Sequence, residues 1–111
     1  MKKTLYLIRH AKSSWENTSL RDHDRPLNKR GKRDAPFMAK VLRKKGVKPD
    51  LIISSTAERA LEFAKVIAEE LDYSKKKISA TKELYMADEK EMMEILRSTD
   101  DSFKTVFMIG H

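Results

Sequence analysis

Three features of the sequence predict a three-layer α/β fold with a mostly parallel sheet flanked by helices. Short apolar runs alternate at least three times with longer amphipathic ones. The runs begin early, at Leu5–Ile8, and recur at Leu51-Ile52-Ile53 and Thr105–Ile109. The intervening segments carry the three-and-four spacing of helices. At 111 residues the chain forms one domain, residues 1–111, with a single core.

The elements follow in order. Leu5–Ile8 is a strand. Asn28 to about Lys45 reads as a helix, with Ala35, Met38, Ala39 and Leu42 on one face and Gly46 as its stop. Pro36 lies inside this stretch, so the helix either starts near Asp34 or is kinked there. Leu51–Ile53 is a second strand. Ser55 and Glu58 have capping-box spacing before a helix that buries Ala60, Leu61, Ala64, Ile67, Ala68 and Leu71. Lys77–Thr81 is a weak third strand. Asp88 and Glu91 repeat the capping-box spacing before Met92, Met93, Ile95 and Leu96. Thr105–Ile109 is the last strand and delivers Gly110-His111.

Composition narrows the function. Hydrophobic residues at 40% and charged ones at 37% describe a globular chain. The net charge of +7 favours anionic partners without choosing among phosphorylated substrates, nucleic acid or a membrane surface. Aromatics are only 7%, too sparse for base stacking, which makes nucleic acid the weaker choice. There is no cysteine, which excludes disulfides, thiolate metal sites and cysteine-based phosphatase chemistry. The apolar run after Met1-Lys2-Lys3 ends at Arg9 after about five residues, short of the roughly 7–15 of a signal core. No run approaches the ~20 residues of a membrane span, so a cytoplasmic protein without a membrane partner is the expectation.

In a parallel α/β sheet the ligand site lies beyond the carboxyl ends of the strands. Arg9-His10 follow the first strand, Ser54-Ser55 and Arg59 the second, and His111 the last. A neutral imidazole attacks phosphorus when its other nitrogen is held as N–H. Guanidinium groups, permanently cationic and able to grip two oxygens, stabilise the charge on the non-bridging oxygens. The start of the Arg59 helix adds N–H donors and a favourable dipole. Taken singly, His10 is a loop histidine, Arg59 a solvated helix residue, Ser54 and Ser55 a turn and a cap, and His111 a chain end. Lys75-Lys76-Lys77 reads as plain surface. His23 with Asp22 and Asp24 suggests a metal site, for which a solvated loop is the simpler reading.

Together these residues resemble the histidine phosphatase superfamily, also called phosphoglycerate-mutase-like. Within it they look like the SixA-type phosphohistidine phosphatase branch. The resemblance rests on Leu7-Ile8-Arg9-His10-Ala11-Lys12-Ser13-Ser14-Trp15, on Asp24-Arg25-Pro26-Leu27-Asn28-Lys29-Arg30-Gly31, on Asp50–Ser55 through Arg59-Ala60, and on Ile109-Gly110-His111. It implies His10 as the nucleophile that becomes phosphorylated, and His111 as its partner across the pocket. It implies Arg9, Arg25 and Arg59 as phosphate ligands, and neither a metal nor an organic cofactor. Ala11 replaces a glycine, Thr56 a frequent proline and Phe63 a frequent threonine. Met86 stands near where mutases and many ester phosphatases carry a glutamate proton donor. The family domain continues past the equivalent of His111, so the resemblance implies a C-terminally incomplete domain, weakly active or inactive and less stable than a longer form.

An alkoxide leaving group needs a general acid more than the nitrogen of phosphohistidine does. The expected substrate is therefore phosphohistidine on a protein, ahead of a small phosphorylated metabolite, with Asp22, Asp24, Glu83 and Asp88 as other proton sources. Two further classes stay open: a phosphoprotein-binding module without turnover, and a metal-dependent hydrolase built on Asp22-His23-Asp24.

Overall fold

A computed structural model describes residues 3–9, 29–85 and 87–110, with backbone alone at Arg9 and residues 29–31. Four strands, β1 (Thr4–Arg9), β2 (Leu51–Ser55), β3 (Ser79–Thr81) and β4 (Thr105–Gly110), form one sheet in the order β1-β4-β2-β3. All three pairings are parallel. Central β4 is buried from Val106 to Gly110, which is why it reads as an unbroken apolar run instead of an alternating one.

Among the described residues three α-helices cover the sheet: α1 (Lys29–Lys44), α2 (Glu58–Glu70) and α3 (Glu89–Ser98). Alternation along the strands turns Ile8, Ile52, Phe107 and Ile109 to one face, where Ala35 and Ala39 of α1 and Ala60, Phe63, Ala64, Ile67 and Ala68 of α2 meet them. Ile53, Val106 and Met108 turn to the other face and pack on Leu96 of α3 and on Leu84. The three layers and the parallel sheet are those expected from the sequence. Tyr6 and Phe107 pack ring to ring across β1 and β4, centroids 5.3 Å apart at 59°.

Several local expectations need correction. The α1 helix does not start near Asp34: it runs from Lys29 and continues through Pro36. Met38 does not join Ala35 and Ala39 inside; it is 44% exposed. Ser55 is not the cap of α2. The cap position is Ala57, which makes no side-chain cap bond, and the Ser55 hydroxyl accepts from the Ala57 N–H at 3.1 Å one turn earlier. In the α2 core stripe Phe63 is buried and Leu61 only partly so. The third strand is shorter than Lys77–Thr81, because Lys75–Lys77 form a single 3-10 turn, exposed, with Lys75 paired to Glu69 at 3.1 Å. Asp88 does cap α3: its carboxylate accepts from Glu91 N–H at 2.8 Å while Glu91 accepts from Asp88 N–H.

Helix ends explain how the chain turns back each time. At the end of α1, Gly46 takes φ 73° and donates to the Arg43 carbonyl, and Val47 donates to that of Leu42. This is the glycine-terminated motif that satisfies the last carbonyls. The α2 helix ends the same way, but with Asp72 at φ 58° where glycine would be unstrained. At the amino edge Asp50 accepts from the N–H groups of Lys104 and Thr105, at 2.9 and 2.8 Å, tying the start of β2 to that of β4. Lys3 donates to the carbonyls of Thr99 and Asp100, closing the end of α3 onto the start of β1.

Candidate functional site

The register decides which residues share the carboxyl edge. Arg9 of β1 pairs with Gly110 of β4, Ser54 of β2 with Ile109, and Ser55 with Thr81 of β3. The strands therefore end nearly level. Neighbouring strands lie about 4.8 Å apart, so the ends of β1 and β2, with β4 between them, are separated by roughly 10 Å. His10 is the residue after Arg9 and His111 the residue after Gly110. His10, Arg25, His111, Met86 and the Asp22-His23-Asp24 group lie outside the described residues. The Arg9 backbone is at this edge.

Arg59 is described in full. It is the second residue of α2, as its position in the sequence implied, and it is fully buried, unlike the solvated helix residue it would be if taken singly. The cause is its stripe. Arg59, Phe63 and Ile67 recur at intervals of four and face the core together. A long aliphatic stem lets an arginine pack along such a stripe. Among the described residues the buried polar side chains are Ser54, Ser55 and Arg59. All three fall within six positions, at or just after the end of β2.

The two serines are engaged in the turn. Ser54 Oγ donates to the Ser55 carbonyl at 2.8 Å, and Ser55 Oγ takes the Ala57 N–H. They shape the β2–α2 connection, while the first-turn N–H groups of α2 receive no side-chain cap bond from Ala57. The first-turn N–H groups of α2 and the positive end of its dipole thus stand at the same edge as Arg59, an arrangement suited to an anion. Among the described residues, a Cβ added at Gly110 would meet the Leu84 carbonyl oxygen at 3.6 Å, an ordinary contact.

Of the other proton sources considered, Asp88 is occupied as the α3 cap. Glu83 lies in the short turn after β3, exposed, its N–H bonded to Thr81 Oγ1 at 3.2 Å. The burial of Phe63 and of the Arg59 guanidinium is what reasoning from sequence missed. The interval of four from Arg59 through Phe63 to Ile67 is the signal that would have found it.

A parallel sheet covered by helices on both faces, with a buried arginine at a helix start by its carboxyl edge, defines a three-layer α/β domain. Residues 5–106 match the model of the histidine phosphatase superfamily (branch 1), and the chain belongs to that family. In structure it superposes on SixA from Agrobacterium tumefaciens, named as a phosphohistidine phosphatase, with a TM-score of 0.89 and 29% identity, over 100% of this chain and 70% of that one. The SixA protein of Nakamurella multipartitia gives 0.79 and 29%, over 98% and 59%. In sequence, a chloroplastic protein of Arabidopsis thaliana is 50% identical over 68 residues, 61% of this chain and 31% of its own length. The mitochondrial serine/threonine-protein phosphatase Pgam5 of Drosophila persimilis is 36% identical over 74 residues, 67% of this chain and 25% of its own. The chain thus spans a quarter to a third of the length of these curated relatives. Their names place them in organelles, which lends nothing to the cytoplasmic expectation. No helix among the described residues is long and apolar enough to cross a membrane.

Proposed function

We propose that this chain carries the catalytic pocket of a metal-independent histidine phosphatase acting on phosphohistidine in a protein. The observation that carries the reading is the buried Arg59, set at the start of α2 on the edge where β1 and β4 end level, one residue before His10 and His111 in the chain. Similarity to proteins named SixA phosphohistidine phosphatases supports the choice of substrate.

In this reading a ring nitrogen of His10 attacks phosphorus. The N–P bond to His10 forms as the bond to the substrate imidazole breaks, and the departing nitrogen takes a proton. Water then attacks phospho-His10, releasing inorganic phosphate and restoring the imidazole. Arg9, Arg25 and Arg59 hold the non-bridging oxygens, whose growing charge a guanidinium fork stabilises without reorganising. His111 faces His10 across the phosphoryl group. Nitrogen is the more easily protonated leaving group, so Met86 in place of a carboxylic acid suits phosphohistidine better than a phosphate ester.

The test is to incubate the chain with a phosphohistidine peptide and measure intact mass under acid-free conditions. A phosphate adduct that disappears in His10→Ala is expected, with peptide turnover exceeding that of p-nitrophenyl phosphate and 3-phosphoglycerate. Preference for 3-phosphoglycerate would overturn the choice of substrate. Turnover by His10→Ala equal to the parent chain would overturn the mechanism.

A further inference from the structure

The positive charge of this chain is concentrated in one place. Residues 29–48 hold nine Lys and Arg against a single Asp, which exceeds the whole-chain excess of +7 and leaves the remainder slightly acidic. That segment is α1 and the turn after it. The inner face of α1 carries Ala35 and Ala39, both fully buried. Arg33, Phe37, Lys40 and Lys44 follow one another at intervals of four, three and four, and so lie along the opposite stripe. All four are exposed, Phe37 to 71%, and Met38 beside it to 44%. Arg43, at the flank, is taken up by Glu70 at 3.5 Å and does not belong to the stripe.

The topology gives this stripe a direction. Because β1 and β2 are parallel, α1 must return the chain from the carboxyl edge of the sheet to the amino edge. Its exposed cationic stripe, from Arg33 to Lys44, therefore runs from the candidate-site side of the sheet toward the amino edge over roughly 17 Å, at about 1.5 Å per residue. We infer that the outer face of α1 is a docking surface for an acidic patch on the phosphoprotein substrate, with Phe37 and Met38 as an apolar centre inside a cationic rim. The inference deepens the phosphohistidine reading and takes the identity of the partner from it.

The distribution of apolar side chains selects a protein over other anionic surfaces. A helix lying in a membrane inserts a whole apolar face, and that of α1 is turned into the core, leaving only Phe37 and Met38 outside. A duplex recognised through its phosphates gives two exposed apolar side chains no role. Protein interfaces combine an aromatic or methionine centre with a polar rim, and complementary charge steers the encounter. A second copy of this chain is a poorer fit. Its α3, on the opposite side of the sheet, carries three Glu against one Lys and one Arg, too small an acidic excess to match the α1 stripe.

Docking is read by binding, apart from catalysis. Two fluorescein-labelled peptides of equal length, one a run of Asp and Glu around a leucine and one with Ser at the acidic positions, are titrated at low salt by fluorescence anisotropy. The acidic peptide is expected to bind at least tenfold tighter. R33E/K40E/K44E should abolish that preference and Phe37→Ser should reduce it several-fold. K75E/K76E/K77E, which makes the same charge change on the exposed turn before β3, should leave it intact. Equal loss in both triple variants would reduce the effect to net charge and overturn the assignment of α1. Binding sensitive to R33E/K40E/K44E but shown only by phosphatidylserine vesicles or duplex DNA would overturn the protein partner. Phosphohistidine versions of the two peptides are assayed alongside. Absence of hydrolysis in both, with the binding preference retained, would sink the substrate reading alone.

Discussion

Arg59 offers the sharpest test of the site. Its guanidinium is fully buried, and taking a charge out of water costs several kcal/mol even after relaxation. A phosphate ligand and a structural ion-pair partner are both adequate reasons for such a group, and they predict opposite outcomes. If Arg59 grips two phosphoryl oxygens, each charge-assisted bond contributes about 1.5–3 kcal/mol. Arg59→Lys keeps one bond and loses the other, so anion affinity should fall about 10- to 150-fold at 1.36 kcal/mol per decade. Arg59→Met loses both, for two to four orders of magnitude. The assay is vanadate binding by calorimetry, with the urea midpoint measured on the same samples. A structural arginine would behave otherwise: stability would drop by about 3–5 kcal/mol while the folded fraction kept its vanadate affinity. That second pattern would refute the assignment of Arg59 to the phosphate site.

Three further outcomes test the scaffold. Asp50→Ala removes the acceptor of two backbone N–H groups at the start of β4 and should cost about 1–3 kcal/mol, read as a lower urea midpoint. Asp72→Gly relieves a left-handed residue at the end of α2 and should raise stability by about 1 kcal/mol, several degrees in Tm. Asp100 has its pKa lowered, chiefly by the Ser102 N–H at 2.8 Å, then by the Ser102 hydroxyl, with Lys3 adding to the effect. A carboxylate depressed on folding contributes stability that is complete above its ordinary pKa and is lost as pH falls through the folded value. The stability difference between the parent chain and Asp100→Asn should therefore shrink on acidification below about pH 4 and stay level above it.

Much of the architecture was legible because apolar period and position are local properties. Leu51–Ile53 and Thr105–Ile109 are too short and too uniformly apolar to be anything but buried strands, and the Asp88–Glu91 spacing is a complete cap within four residues. The failures were also local in kind. Ser55 and Glu58 have the right spacing for a cap, yet the hydroxyl accepts from the Ala57 N–H and α2 starts at Glu58, with Ala57 at the cap position. Pro36 has no N–H to offer the helix, but α1 continues through it because packing of Ala35 and Ala39 on the core outweighs one missing bond.

By itself, then, the sequence determined the family and the order of strands and helices along the chain, since side-chain type and spacing carry that information. Only the tertiary structure decided that β4 lies between β1 and β2, which levels the ends that precede His10 and His111. It alone turned Arg59 inward with Phe63 and Ile67 and left Phe37 outside among cations. Burial and strand order arise from contacts between residues distant in the chain, and no local spacing encodes them.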